Sequence, residues 1–447
     1  MMMGIGSCSA RVVRRLATPA LAVLILLATA SGARTAPAAH REVLPNGIVL
    51  LVAERPAIPI VAVRVFTRAG AVFDPPDRAG VANLTGEVLT RGTAKRTGPQ
   101  IDSAIEFVGG RLEAGAGRDG LVASLAVLKR DLGLGLDLLA EVVLSPTFPD
   151  AEVKRKIAEI QAGIQRSEEN PASVASKALT RLVFDGHPYG KPVDGTRESV
   201  SRLTRDDVVR FYGARVRPDT TIVAVVGAVT VDEARREIVA RFGGWPRPAT
   251  PAATVPFATQ GASPRSETIT RELTQATLMF GRQAVNQRDP DYFPLTVASY
   301  ILGGGSTSRL YMRVREEGGL AYDVRSHLSP GKYGAGFVVS SQTRAAEAAK
   351  VIGLLESELA RMRRDAVSDR DLAVAKDYLI GSFPLRLDTS SKMADFLVSV
   401  EEMGLGLDYA DRYRDLVGRV TAADVQRVAA KYFDPASFDR VMVGKAP

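Results

Sequence analysis

Two patterns of apolar residues alternate along this chain. Runs rich in β-branched residues predict strands at 47–53 (GIVLLVA), 58–66 (IPIVAVRVF), 276–280 and 334–340. Between such runs the period lengthens. Val153, Ile157, Ile160 and Ile164 recur at i, i+4, i+7 and i+11, which predicts one apolar stripe of a long helix. Asn170-Pro171 ends that helix, because the residue before a proline is driven out of the helical region. Strands and helices mixed in this way predict an α+β fold, with helices covering one face of a mostly antiparallel sheet.

The pattern occurs twice. Residues 200–227 (VSRLTRDDVVRFYGARVRPDTTIVAVVG) align without a gap on residues 417–444 (VGRVTAADVQRVAAKYFDPASFDRVMVG). Val200, Arg202, Thr204, Asp207, Val208, Arg210, Pro218, Val226 and Gly227 recur 217 residues later. Each copy reads as a capped helix, a proline-containing turn and a strand, with Thr204 and Thr421 where an N-cap belongs. Residues 246–265, rich in Pro, Ala and Thr, read as a linker. The expected organisation is two tandem homologous halves, 40–245 and 266–447, in a clamshell arrangement.

Composition narrows the function. Hydrophobic residues make up 46% and charged residues 24%, ordinary for a globular protein. The first 33 residues read as a signal peptide. Arg11, Arg14 and Arg15 precede an apolar run at 16–27, and small-residue cleavage sites follow it, so the mature chain is expected to begin between Ser31 and Ala39. The run is short for a membrane span, and an uncleaved anchor is the alternative. A periplasmic or secreted protein is expected. Cys8, the only cysteine, lies before the apolar run, so the mature chain has neither disulfides nor thiolate metal sites. The formal charge of +8 includes the three signal arginines, and no basic stripe interleaved with aromatics points to nucleic acid.

Several motifs then occur in order: Asn46-Gly47-Ile48, GVANLTGEVLTRGT at 80–93, Gly109-Gly110, ENP at 169–171, GHPYGKPVDGT at 186–196, and GGGSTSRLYMRVREEGGLAY at 303–322. Their order and spacing resemble the pitrilysin/insulinase superfamily of zinc peptidases over nearly the whole mature chain. The resemblance implies a zinc site built on an inverted His-x-x-Glu-His helix, with a distal Glu about 76 residues on. Two His one helical turn apart grip the metal, and the Glu between them deprotonates its water. Here the first His is Asn83, the Glu is Gly86, the second His is Glu87, and the distal Glu falls on Gly163, with Glu159 one turn away. The only histidines are His40, His187 and His327, none paired at ligand spacing. No zinc is expected in this chain, and Asn83 and Glu87 read as a polar helix face. The family's substrate-pairing edge strand carries Glu113 where the family has Asn, and its glycines weaken it.

The resemblance further implies that an Arg and a Tyr of the second half, here Arg315 and Tyr322, face the zinc across the chamber. An arginine fork donates paired hydrogen bonds to a peptide carbonyl, and a tyrosine hydroxyl donates to an oxyanion. The bland reading is an Arg on a charged helix face and a Tyr in a half-buried strand. Gly318 and Gly319 should end the preceding helix, with Leu320 anchoring the turn. The run Gly303-Gly304-Gly305 lacks the Lys-Ser/Thr of a nucleotide loop and should let backbones approach at a helix end. The functional expectation is a non-metal partner subunit that is no peptidase alone. Its Arg/Tyr pair would complete the zinc site of a homologous subunit acting on peptide or unfolded protein. A catalytically inert structural or peptide-binding homologue is the alternative.

Overall fold

The computed structural model of the chain describes residues 39–261 and 263–445. The signal peptide expected at 1–33 lies outside them. Strands β1 (Ala39–Val43), β2 (Val49–Glu54), β3 (Ile60–Thr67), β4 (Arg111–Ala116), β5 (Leu121–Leu128) and β6 (Thr221–Gly227) form one sheet, in the order β1-β2-β6-β3-β5-β4. Strands β7 (Ser266–Thr270), β8 (Gln275–Gln283), β9 (Ala321–Ser329), β10 (Gly336–Arg344) and β11 (Asp439–Gly444) form a second, in the order β7-β11-β8-β10-β9. Strands β2, β6, β3, β5 and β4 map one to one onto β7, β11, β8, β10 and β9. Each sheet has one parallel pair, β2/β6 or β7/β11, and is otherwise antiparallel. This is the α+β architecture of two homologous halves, of clamshell type, that the sequence predicts.

The repeat follows from the same local chemistry written twice. Helix Arg205–Arg215 starts at Thr204, whose amide and hydroxyl both donate to the Asp207 carboxylate, at 2.9 and 2.8 Å. Helix Ala422–Tyr432 starts at Thr421, whose amide donates to Asp424 at 3.0 Å. These capping boxes occupy donors that a helix start leaves open. Pro218 and Pro435 then open short turns that feed β6 and β11.

The halves are locked by exchanged helices. Every residue of β6 is buried, which requires cover on both faces. Val223 and Val225 point into the core formed by the first half's own helices. Ile222, Ala224 and Val226 point the other way, into a core with Met393, Leu397 and Val400 of helix Ser390–Met403, from the second half. The first half reciprocates. Val441 and Val443 of β11 pack with Ala175, Leu179 and Leu182 of helix Pro171–Val183. Thus each sheet carries its own helices on one face and a borrowed helix on the other. Ion pairs fix helix Ser390–Met403 in place: Arg41–Glu401 at 2.9 Å, Arg64–Asp395 at 2.6 Å and Arg68–Glu402 at 2.8 Å.

The connection at 246–265 has no helix or strand among its described residues, but it is strapped down. Arg217 donates to the Thr250 carbonyl at 2.5 Å, Gln283 donates to the Thr259 carbonyl at 2.9 Å, and Ala258 is buried and donates to Tyr333 O at 2.7 Å.

Candidate functional site

The helix on which the resemblance places the zinc motif, Val81–Val88, is held at its start by Asp74. The Asp74 carboxylate accepts from Gly80 N at 2.7 Å and Ala82 N at 3.0 Å, where the helix dipole favours negative charge. Burial nevertheless pushes its pKa up to about 7, against those two amides and nearby Lys191.

Gly86 is buried, and strand β4 runs directly over it. A Cβ there would lie 2.5 Å from Ala116 N and 2.6 Å from Gly115 C. The position at which the resemblance places a general base is therefore filled by the backbone of the edge strand, and no side chain enters without displacing β4.

Glu87, one residue on, is not free. It accepts from Lys156 Nζ at 3.1 Å, and the same ammonium lies 2.9 Å from Glu159. Burial disfavours the Lys156 ammonium, but Glu159 and Glu87 outweigh it and raise its pKa. The hydrogen bond from Lys156 lowers that of Glu159. Arg155 pairs with Glu159 from the other side. Sequence reasoning missed Lys156. The signal was its place three residues before Glu159 on one helix, Asp150–Glu169, where i,i+3 side chains meet. Asn83 and Gly163 are half-buried, and the Asn83 side chain makes no hydrogen bond among the described residues.

These residues do not fit zinc. Such an ion needs imidazole nitrogen, thiolate or free carboxylate donors at about 2.0–2.3 Å. Here the donor set is an amide, a glycine occluded by backbone, and carboxylates already neutralised by an ammonium. Among the described residues no group of three or more His, Cys, Asp or Glu could hold a metal ion. The histidines are committed elsewhere. His40 sits on β1 beside Glu42, at 3.9 Å. His187 accepts from Tyr189 N through Nδ1 at 3.1 Å and donates through Nε2 to Pro256 O at 3.0 Å. His327 lies on β9, where burial lowers its pKa.

Strand β4 stands at the sheet edge, paired along its length with β5 alone, and Glu113 is exposed beside Arg111, at 3.4 Å. Its counterpart in the second sheet is β9, also an edge strand, and β9 carries Tyr322.

Arg315 and Tyr322 are brought together. The turn Tyr311–Glu316 is π-helical, a rare winding frequent at functional sites. Gly319, at φ +60°, donates to Arg315 O at 3.0 Å, and buried Leu320 donates to Val314 O at 3.0 Å, so the turn closes as the two glycines predict. The Arg315 guanidinium then lies 4.9 Å from the ring centroid of Tyr322 and 4.9 Å from that of Tyr311. Strand β9 is half-buried, alternating buried and exposed positions, and Tyr322 lies on its open side, 82% exposed. Its hydroxyl has no hydrogen-bond partner among the described residues. Gly303 behaves as expected: its Cβ would lie 2.4 Å from Ser326 N, so the end of helix Tyr292–Gly303 presses on β9. No hydrogen bond, ion pair or ring contact among the described residues joins Asn83, Gly86, Glu87 or Gly163 to Arg315 or Tyr322.

Residues 49–197 match the insulinase family, peptidase family M16, and residues 202–379 match the peptidase M16 inactive domain. An uncharacterized zinc protease of Mycobacterium leprae is 29% identical over 364 residues, 78% of this chain and 79% of that protein. One from Streptomyces coelicolor is 27% identical over 397 residues, 87% of this chain and 86% of that protein. The crystal structure of a peptidase M16 inactive domain from Pseudomonas fluorescens superposes with a TM-score of 0.87 at 25% identity, covering 92% of this chain and 98% of that one. A Helicobacter pylori protease at 18% identity shares the fold, with a TM-score of 0.84 over 92% of this chain and 100% of that one. The chain therefore belongs to peptidase family M16, the insulinase family.

Proposed function

We propose that this chain is the non-metal subunit of an exported zinc metalloendopeptidase complex. A homologous subunit holds the zinc. Arg315 and Tyr322 of this chain reach the bound peptide, the guanidinium holding a carbonyl and the hydroxyl donating to the oxyanion that forms on attack. The reading is carried by one contrast. The zinc-motif positions are closed by β4 and the Lys156 ammonium, whereas the Arg315/Tyr322 pair is assembled and Tyr322 is open to solvent. A hydroxyl without an internal partner on an exposed edge strand is available to a ligand. The signal-like N-terminus supports a periplasmic or secreted setting.

Co-purification from the native host tests this. The expected result is a complex with a second M16 chain that retains His-x-x-Glu-His. Elemental analysis should find about one zinc per complex and none on this chain alone. A chain that purifies by itself and inert would favour the structural or peptide-binding reading.

A further inference from the structure

Beside the π-helical turn lies a cavity of about 260 Å³, between helix Tyr292–Gly303 and helix Asp369–Ser382. Tyr300, Ser308, Arg309, Met312, Arg370 and Asp371 contribute to its wall. Two of these carry buried polar atoms without a partner. Ser308 is 4% exposed and its Oγ makes no hydrogen bond. The Arg309 side chain is 14% exposed, and its Nη1 makes none either. The one ion pair of Arg309 is long, Nη2 to Asp371 Oδ2 at 3.7 Å. Its charge is also felt by Asp365, which already pairs with Arg364 and Arg361. Arg370 is exposed and has no ion pair among the described residues.

Buried donors are almost always satisfied, because leaving one unpaired forfeits its hydration. A guanidinium only donates, so whatever completes Arg309 must accept. Two guanidiniums against the single carboxylate of Asp371 leave the wall net positive, which selects an anion over a neutral acceptor. The ring of Tyr300, stacked on Tyr378 at 4.6 Å, and the side chain of Met312 give the rest of the cavity an apolar surface.

We propose that this cavity binds a small oxyanion, a phosphate or a carboxylate on a short apolar body, with its oxygens accepting from Arg309 Nη1 and Ser308 Oγ. The site is independent of whether Arg315 and Tyr322 act in catalysis. It is a property of this chain alone and is tested on the purified mature protein.

The test titrates inorganic phosphate and, separately, N-acetyl-leucinate into the protein at constant ionic strength, read by calorimetry and by thermal shift. Saturable binding of at least one probe at one equivalent per chain is expected. Which probe binds tighter assigns the ligand to phosphate or to carboxylate chemistry. Arg309→Gln should weaken that binding at least about tenfold, since it removes a charge-assisted hydrogen bond. Ser308→Ala removes only a hydroxyl and should weaken binding about threefold or more with the fold kept. Absence of saturable binding to the wild type overturns the proposal and leaves the cavity to water. So does unchanged affinity in both Ser308→Ala and a folded Arg309→Gln.

Discussion

Gly86 and Lys156 show why the zinc-motif positions are not a site waiting for its ligands. Replacing Gly86 by Glu, the residue type a peptidase helix would need there, drives a side chain into the β4 backbone at 2.5–2.6 Å. The expected result is a loss of about 1–3 kcal/mol in unfolding free energy, as for other overpacked positions, measured by denaturant titration. In the triple change Asn83→His, Gly86→Glu and Glu87→His, the Glu is expected to press on β4 and cost comparable stability, and no stoichiometric zinc is expected because the distal ligand position is still Gly163. Stoichiometric, tightly held zinc in that variant with stability intact would contradict the packing argument.

Asp291 gives a pH prediction at the same scale. Burial raises its pKa, but hydrogen bonds from Lys431, Arg427 and Tyr432 outweigh burial and hold it at about 2, below its ordinary 3.8. A carboxylate whose folded pKa is depressed adds stability that is present above the unfolded value and lost as pH falls through the folded one. The pair Arg427 and Lys431 is 51% and 60% exposed, so solvent screening reduces the contribution to about 1–2 kcal/mol. The wild type should therefore lose that increment between about pH 4 and pH 2. Asp291→Asn should start lower at neutral pH and lack that component. Parallel acid-unfolding curves for the two proteins would show that the network is not coupled to folding.

At the scale of elements, the exchanged helices predict shared stability. Leu179 of helix Pro171–Val183 and Leu397 of helix Ser390–Met403 are buried against the opposite half's sheet. Each Leu→Ala change is expected to cost about 2–5 kcal/mol. Each should lower a single thermal transition that both halves share, because neither sheet is covered on both faces without the other half. Two separated transitions in scanning calorimetry, only one of them shifted, would show that the halves fold independently.

Much of this level was legible in the sequence. Thr204 with Asp207, and Thr421 with Asp424, announce the repeated helix starts, because a capping box uses only residues three apart. The strands at 47–53 and 276–280 were legible for the same reason of local pattern. The exchange of helices was not. Ala175, Leu179 and Leu182 give an apolar stripe whichever sheet they meet, since periodicity reports that a face is buried and not against what. The Lys156 bridge between Glu87 and Glu159 joins two helices across 69 residues, a separation no spacing rule reaches. The exposure of Tyr322 depends on β9 being an edge, which is a fact of sheet order and not of the segment itself.

At the scale of the whole molecule, the chain divides its chemistry unevenly. In the first half, helix Val81–Val88 has Gly86 under the β4 backbone and Glu87 paired with the Lys156 ammonium. The second half presents Arg315 wedged between two tyrosines, on a turn ending at a free sheet edge. A guanidinium on exposed rings gains only about 0.5–1 kcal/mol, so a substrate carbonyl can compete for it. Arg315→Lys should lower the activity of the assembled complex, since an ammonium cannot reproduce the paired donors. Assembly itself should persist, because little apolar area is removed.

The most direct measurement is the kcat of the assembled zinc-bearing complex with Tyr322→Phe in this chain, paired with size-exclusion chromatography of the same sample. The substitution removes one hydroxyl and keeps the ring over Arg315. A subunit that donates to the oxyanion predicts a kcat lower by about one to three decades with co-elution unchanged. A complex that assembles and cleaves at the wild-type rate would contradict the account, and Arg315 and Tyr322 would then be structural residues of an edge strand.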